Sequence, residues 1–226
     1  MISVEEAKRR IFSAFKPLTT EIVALSDALG RVTAEPIAAR RTQPWTGLSA
    51  MDGYAVRAAD VENCPMDLAV IGSVPAGYHF DGSVKAGECV RIFTGAPLPD
   101  GADTIVIQED TEATEGRVTV KVSAAKGTYV RPRGFDFCEG EVLIPKGRSL
   151  TSRDIGLAAS MNHPWLRVYR RPRVAILATG DEIVMPGDPI GPDQIVSSNG
   201  LGLAALVTAC GGQPVLLPIA RDNAAS

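Results

Sequence analysis

The sequence predicts a mixed α/β protein of several domains, in which a β-rich N-terminal and linker region is followed by the start of a doubly wound α/β domain. The length of 226 residues exceeds one small core and fits one large or two modest domains. Residues 66–144 read as short strands separated by turns, without a long helical pattern. After Pro172 an apolar strand, an acidic loop and a helix follow one another, which is how a doubly wound unit begins. We therefore predict one region over residues 1–171 and another over 172–226.

Composition excludes several classes of protein. The chain is 45% hydrophobic and 22% charged, which is typical of a globular protein, and its net charge of −3 predicts no nucleic-acid partner. The first ten residues lack the apolar stretch of a signal peptide. The longest apolar run, Leu201–Cys210, is far too short to span a membrane. We expect a cytoplasmic protein without a membrane partner.

Cysteines and histidines do not predict a zinc site. His79 and His163 are far apart in sequence, and no Cys-x-x-Cys occurs. The four cysteines are Cys64, Cys89, Cys138 and Cys210. We interpret them as reduced and mostly buried thiols. Any metal would then be held by oxygen ligands, which favours Mg²⁺.

Two helices are marked by their N-terminal residues. Ser3 and Glu6 have capping-box spacing and precede an amphipathic pattern that predicts a helix over residues 4–15. Thr151 begins a second predicted helix that reaches about Met161 and is ended by Asn162–Pro164.

Between these helices the pattern is that of strands. Turn-forming residues separate five candidate strands, Leu68–Val74, Cys89–Thr94, Thr104–Glu109, Arg117–Val122 and Val142–Ile144. We predict a β-rich domain or barrel-like sheet.

Two loops of this region have both a structural and a functional interpretation. Gln43–Arg57 contains Asp52-Gly53, a turn-forming dipeptide, and local composition favours a hairpin turn with aromatic packing. In Phe93–Asp103, Thr94 and Gly95 can offer backbone N–H groups to an anion, although a rigid connecting loop is the simpler interpretation.

A third loop, Tyr129–Gly140, carries Arg131, Arg133 and Asp136. Two arginines in a fixed loop suit phosphate or carboxylate binding. The alternative is a solvated surface loop with an arginine–aspartate pair of little energetic value.

The last segment predicts one β-α-β crossover: a strand at 174–178, a helix at about 199–209 and a strand at 215–217. Asp181 and Glu182 follow the first strand, where two carboxylates can hold Mg²⁺ that bridges to the phosphates of a ligand. The alternative is an acidic loop with no ligand. Two parallel strands cannot cover both of their faces, so we expect a fragment rather than a domain completed by a partner.

Five stretches together carry a resemblance that none carries alone: Ser49–Val56, Thr94–Asp103, Arg133–Asp136, Arg171–Ile176 and Thr179–Glu182. In this order they resemble the molybdopterin molybdenumtransferase family, the bacterial relatives of the C-terminal domain of gephyrin. The resemblance covers the whole chain. It implies that residues 1–171 form an N-terminal and linker region, elongated and helical with a β-rich domain inserted at about 43–145. Residues 172–226 would be a truncated α/β molybdopterin-binding domain.

The resemblance also implies a reaction. Adenylylated molybdopterin would be bound with Mg²⁺, its phosphoanhydride cleaved to release AMP, and molybdate inserted into the dithiolene. It implies a homodimer with sites between subunits, and molybdopterin adenylyltransferase as a pathway partner. Its implied catalytic residues are Asp52, Asp136 and Glu182, with Glu182 also the metal ligand. Its implied substrate-binding residues are Thr94, Gly95, Arg131, Arg133, Gly180, Asp181, Ser198 and Asn199.

The chain departs from the family pattern at three places. Trp45–Leu48 replaces an aromatic-Asp-Asn run, and Ser197 stands where an aspartate often opens the later helix, although Ser197 can still cap it. A Ser-Gly-Gly-Val-Ser-Val-Gly stretch is absent, so we expect a second magnesium ligand beyond residue 226 and an inactive chain on its own.

Two other functions stay open as alternatives: a non-catalytic dimerisation or scaffold module, and an inactive fragment of the enzyme. The joint presence of Asp52, Thr94 and Glu182 favours the enzyme, because a pure scaffold has no need of them. A general nucleotide-dependent enzyme is disfavoured, since the sequence has neither a P-loop nor a Gly-x-Gly-x-x-Gly motif.

Overall fold

A computed structural model of the chain describes residues 2–222. The described residues divide into two compact units, one of residues 2–37 with 143–222 and the other of residues 38–142. We call the second one the β-rich unit and the first one the split unit.

Three α-helices and sixteen strands occur within residues 2–222. The helices are α1 (Val4–Ala14), α2 (Ser152–Ser160) and α3 (Asn199–Ala209). The first eight strands are β1 (Thr20–Ala24), β2 (Ile37–Ala38), β3 (Leu48–Ser49), β4 (Gly53–Val56), β5 (Met66–Val74), β6 (Glu88–Ile92), β7 (Thr104–Ile107) and β8 (Thr111–Thr114). The other eight are β9 (Arg117–Val120), β10 (Val130–Arg131), β11 (Val142–Ile144), β12 (Trp165–Tyr169), β13 (Arg173–Ile176), β14 (Ile183–Val184), β15 (Ile195–Val196) and β16 (Gln213–Leu216).

A six-stranded sheet forms the core of the β-rich unit, in the order β7-β4-β6-β5-β9-β8. The pair β5–β6 is parallel and the other pairs are antiparallel. Alternate residues of a strand point to opposite faces, so two buried clusters form. One consists of Tyr54, Val56, Val61, Leu68, Cys89, Val106, Val118 and Val120. The other consists of Ala55, Val74, Val84, Val90, Ile92, Ala96 and Ile105.

The five predicted strands of this region are confirmed as β5, β6, β7, β9 and β11, with ends that differ by a few residues. The hairpin turn predicted for Gln43–Arg57 is wrong. Strand β3 pairs with β10, and β4 lies between β6 and β7. Gly53 begins β4 because a Cβ there would lie 2.0 Å from the carbonyl oxygen of Val106, so only glycine admits β7 at this distance.

Both predicted helices of the N-terminal region form, but their caps differ. Thr151 and Asp154 make a complete capping box at α2, and Ala158 of this helix is buried. At α1 the Ser3 side chain accepts a hydrogen bond from the Glu6 N–H. The Glu6 carboxylate binds Arg9 and Arg10 rather than the backbone of Ser3, so the predicted reciprocal cap is half formed.

The C-terminal segment contains the predicted β-α-β crossover. Strands β13 and β16 pair in parallel, and α3 lies between them in sequence. Ser198 occupies the N-cap position of α3 without a side-chain cap, so the predicted capping by Ser197 is wrong. Leu203 and Leu206 of α3 are exposed. The doubly wound sheet stays a prediction, because the two separate parallel pairs, β13–β16 and β14–β15, do not define one strand order.

All four cysteines are free thiols. Burial raises the pKa of the Cys89 thiol to about 12, so it stays protonated. Cys138 and Cys210 are exposed, and the prediction of mostly buried thiols is therefore wrong. In the described part of the chain, no helix is both long and apolar enough to cross a membrane.

Candidate functional site

Asp52 and Thr94 meet because their strands are neighbours. In the antiparallel pair, Gly53 at the start of β4 lies opposite Ile92 at the end of β6. The residues just outside these two positions therefore reach the same edge of the sheet. Asp52 Oδ1 accepts two hydrogen bonds from Thr94, one from its backbone N–H at 2.8 Å and one from its hydroxyl at 2.7 Å.

These hydrogen bonds keep Asp52 ionised. The Thr94 N–H contributes most to lowering the pKa of the Asp52 carboxyl, followed by the Thr94 hydroxyl, and the charge of Arg91 adds to the shift. A carboxylate with a lowered pKa is a weak general base at neutral pH. The Thr94 hydroxyl proton points to Asp52, which leaves the lone pairs of its oxygen free to accept hydrogen bonds from a ligand.

The backbone of the Thr94 loop does not offer its N–H groups to an anion in this structure. The Thr94 N–H donates to Asp52, and the Gly95 N–H donates to the carbonyl oxygen of Ser49 at 2.8 Å. Gly95 has φ +83°, a conformation that favours glycine. The loop is therefore a support for the Thr94 side chain, which agrees with the simpler interpretation as a connecting loop and not with the alternative of an anion site at its N–H groups.

Arg91 is a residue of this site that the sequence did not reveal. Its guanidinium donates to the carbonyl oxygen of Gly53 at 3.1 Å and to Oε1 of Gln108 at 2.6 Å. It also lies over the rings of Tyr54 and Phe93, at 5.1 and 4.9 Å from their centroids. Arg91 thus fixes the start of β4 next to Asp52. The alternation of β6 alone marks it only as an outward-facing strand residue.

Arg131 and Asp136 lie close together in the β-rich unit. Arg131 Nη2 lies 2.9 and 3.2 Å from the two carboxylate oxygens of Asp136, and its guanidinium is 5.4 Å from the centroid of the Phe135 ring. Both side chains are substantially exposed, at 43% and 36%. Arg133 makes no hydrogen bond or ion pair with any residue in the range 2–222. Of the two arginines, Arg133 is therefore the freer to bind an anion.

The other predicted residues lie in the split unit, around the end of β13. Gly180 has φ +140°, and a Cβ there would lie 2.6 Å from Glu182 Oε2. The Glu182 carboxylate therefore lies over Gly180, whose φ of +140° favours glycine. The Glu182 carboxylate is exposed and, over the described residues, has no hydrogen bond or ion pair. Asp181 Oδ1 is 3.4 Å from the N–H of Asp222.

Ser198 and Asn199 face a separate cleft of about 260 Å³ at the N-terminus of α3. Thr179 and Ile195 also line this cleft, whereas Asp181 and Glu182 do not. Within the described range, no three His, Cys, Asp or Glu side chains converge as a metal site would require. One free carboxylate still fits Mg²⁺, which commonly takes one or two carboxylates and completes its shell with phosphates and water.

Known proteins are similar to this chain in sequence and fold. The family described as the MoeA N-terminal region (domain I and II) matches residues 2–162. A molybdopterin molybdenumtransferase of Nostoc sp. is 41% identical over 99% of this chain and 53% of its own length. Molybdopterin molybdenumtransferase 2 of Mycobacterium tuberculosis is 35% identical over 100% of this chain and 56% of its own.

Solved structures agree with these relatives. The crystal structure of a molybdopterin biosynthesis moeA protein from Pyrococcus horikoshii superposes with a TM-score of 0.93 at 29% identity, covering 100% of this chain and 61% of that one. A second structure of a moeA protein from this organism has a TM-score of 0.86 at 34% identity, covering 99% of this chain and 58% of that one. This chain spans about half the length of the curated relatives that it matches. It belongs to the family of the MoeA N-terminal region, domains I and II.

Proposed function

We propose that the protein takes part in molybdenum cofactor biosynthesis by inserting molybdenum from molybdate into adenylylated molybdopterin, with release of AMP. The observation that carries this proposal is the Asp52–Thr94 pair, a carboxylate fixed by two hydrogen bonds at a sheet edge. The names of the relatives, molybdopterin molybdenumtransferases, support the same reaction class.

In this proposal Asp52 and Thr94 position rather than transfer protons. Asp52 stays charged and orients the Thr94 hydroxyl, whose oxygen accepts a hydrogen bond from a substrate N–H or from a bound water. Asp136 orients Arg131 in the same manner. Arg133, with no partner in the described chain, contributes positive charge for a phosphate.

Glu182 would hold Mg²⁺, with Asp181 as a second oxygen donor next to it. The cation, when bound, neutralises charge on the phosphates of the substrate. Gly180 keeps room for the Glu182 carboxylate, and Ser198 and Asn199 offer uncharged hydrogen-bonding groups at the neighbouring cleft.

We propose a homodimer as the working form. Helix α1 has no buried residue, and its apolar side chains Ile11 and Phe12 are 55% and 73% exposed. Exposed apolar side chains on one helix favour burial against a protein partner, and a second copy is the simplest one. Molybdopterin adenylyltransferase would supply the adenylylated substrate. With a net charge of −3 no nucleic-acid partner is proposed, and the free thiols fit the cytoplasm.

A non-catalytic dimerisation or scaffold module is the second candidate. The exposed side chains of α1 favour it as much as they favour the enzyme. It gives no reason, however, for the ionised and doubly hydrogen-bonded Asp52.

Calorimetric titration of the full polypeptide with adenylylated molybdopterin and Mg²⁺ tests the proposal. We expect binding that depends on Mg²⁺, and the loss of this dependence in Glu182→Ala while fold and oligomeric state are kept. Glu115→Ala, an exposed carboxylate of the β-rich unit, is the matched control. Equal Mg²⁺ dependence in all three proteins would make Glu182 structural, and absence of binding in all three would favour the scaffold module.

A further inference from the structure

A second cleft, of about 320 Å³, lies within the β-rich unit. One wall is the segment 41–48, with Arg41, Gln43 and Trp45 facing the cleft, and the other wall is Gly77–His79. Gly95 lines the cleft as well and is the direct neighbour of Thr94. The volume lies at the lower end of the range for small-molecule sites.

The wall that carries Trp45 is fastened by its backbone. The carbonyl oxygen of Pro44 accepts from the N–H of Gly134, and that of Gly47 accepts from the N–H of Leu98, both at 2.9 Å. The Trp45 side chain is nevertheless 59% exposed. An indole held open on a fixed backbone offers its flat face without a large entropy cost on binding.

The opposite wall is anchored by Phe80. Its ring fills the space over Gly72 and Gly82, where an added Cβ would lie 2.6 and 2.9 Å from ring atoms. Phe80 also packs against the buried cluster of one sheet face. Tyr78, two residues earlier, is 69% exposed. The anchor therefore holds a second aromatic ring at the cleft.

The polar side chains of the cleft have no partners in the part of the chain that the structure describes. Among residues 2–222, the side chains of Arg41, Gln43, Tyr78 and His79 form neither hydrogen bonds nor ion pairs. No carboxylate lines the cleft, so the Arg41 charge is not neutralised within it. Two open aromatic rings and an unpaired guanidinium are the groups that recognise a flat ring bearing an anionic group.

We propose that this cleft binds a flat heteroaromatic ring that carries a negatively charged group. The choice of ring rests on the proposed function, since adenylylated molybdopterin contains an adenine nucleotide and a pterin. Trp45 and Tyr78 contact the faces of the ring, and Arg41 pairs with the anionic group. Gly95 at the cleft places the ligand next to Thr94.

Tryptophan fluorescence of the chain tests this site. The two tryptophans are Trp45 and Trp165, and Trp165→Phe leaves Trp45 as the sole reporter. Titrants are AMP, pterin-6-carboxylate and, as an anion without a heteroaromatic ring, ribose 5-phosphate. We expect saturable quenching by AMP or by the pterin and none by the sugar phosphate. The titrant that saturates at the lower concentration identifies the ring.

Variants separate the charge from the stacking. By calorimetry, Arg41→Gln weakens binding roughly tenfold through the lost charged hydrogen bond. Trp45→Ala weakens it roughly tenfold through lost stacking. Arg40→Gln and Trp165→Phe, whose side chains do not line the cleft, serve as matched controls that keep the parent affinity. Circular dichroism confirms that each variant is folded.

Three results would overturn the inference: no saturable binding of either ring compound, equal binding of ribose 5-phosphate, or full affinity in folded Trp45→Ala. If neither ring compound binds while the full polypeptide still releases AMP in the presence of molybdate, the cleft assignment fails and the proposed function stands. If a ring compound binds at Trp45 without any molybdate-dependent AMP release, the function fails and the cleft assignment stands.

Discussion

The two regions that carry the candidate residues are built differently. In the β-rich unit, Asp52 and Thr94 satisfy each other's hydrogen bonds at the edge of a six-stranded sheet. In the split unit, the Glu182 carboxylate is exposed and lacks a partner in the described chain. Asp52 is thus held by other residues of the protein, whereas the Glu182 carboxylate is held by none of the described residues.

The difference between Asp52 and Glu182 indicates what each carboxylate can do. A carboxylate fixed by two donors is stabilised in its charged form and orients neighbours, as Asp52 does for the Thr94 hydroxyl. A free carboxylate can adapt to a cation whose other ligands come from a substrate. We therefore propose a positioning role for Asp52 and Thr94 in the β-rich unit and metal binding for the acidic loop.

Gly53→Ala is expected to destabilise the β-rich unit at strand β4. The new Cβ would lie 2.0 Å from the Val106 carbonyl oxygen, a backbone atom that cannot turn away. Strands β4 and β7 would have to separate, at a cost of about 3 kcal/mol in the free energy of unfolding. Urea denaturation measures the change in the free energy of unfolding, and hydrogen exchange of the β4 amides measures the local loss of strand pairing. A loss below about 0.5 kcal/mol would contradict the close approach of β4 and β7.

Gly180→Ala should cost less in the open region. Its nearest contact is the end of the flexible Glu182 side chain, which can swing away. The remaining cost is the φ of +140°, worth about 1–2 kcal/mol. The same denaturation experiment applies, with Gly156→Ala in α2 as a control that is expected not to destabilise, because open space surrounds it. If Gly180→Ala lowered the free energy of unfolding as much as Gly53→Ala, the proposed difference between the two regions would be contradicted.

Thr94→Val should raise the pKa of Asp52, because the hydroxyl donor is lost while the backbone donor stays. In the parent chain the lowered pKa makes Asp52 stabilising above its unfolded value of about 3.9, and this contribution is lost as pH falls through the folded pKa. In Thr94→Val the stabilisation by Asp52 is smaller, and it is lost at a higher pH than in the parent chain. The carboxyl ¹³C chemical shift of Asp52 against pH measures its pKa. Thr151→Val is a second test of the same kind, because the Thr151 hydroxyl donates to the Asp154 carboxylate. An unchanged Asp52 titration would refute the assigned cause.

Arg131→Ala should have the smallest effect on stability. Its ion pair with Asp136 is exposed to solvent on both sides. Exposed pairs contribute about 0–1 kcal/mol, and salt screens them. Thermal unfolding at low and high salt checks this. A change above about 2 kcal/mol would show that this ion pair stabilises the β-rich unit instead.

The sequence predicted those elements that are determined by residues close to one another in the chain. The capped helix start at Thr151 predicted α2, and the apolar run at 68–74 predicted β5. Strand β4 was missed because Asp52-Gly53 is also a turn signal. The requirement for glycine comes from β7, about fifty residues later.

The same limit applies to the candidate site. The sequence left two interpretations of the Thr94 loop, a rigid connecting loop and an anion site, and favoured the first. The contacts that decide between them come from Ser49 and Asp52, which lie over forty residues earlier and use the N–H groups of the loop. Arg91 was missed for the same reason, since its partners lie on β4 and after β7. The exposed residues Trp45 and Tyr78 form a cleft only once two distant loops meet.

The most direct test of the account is molybdate-dependent AMP release by the full polypeptide, comparing the parent with Asp52→Asn, Glu182→Gln and the control Glu115→Gln. We predict that Asp52→Asn and Glu182→Gln each lower the rate roughly a hundredfold or more, while Glu115→Gln keeps it. Added Mg²⁺ should partly restore Glu182→Gln only, since Asp52 is assigned to positioning. Parent rates in both folded variants would contradict the division between a positioning unit and a metal-binding loop.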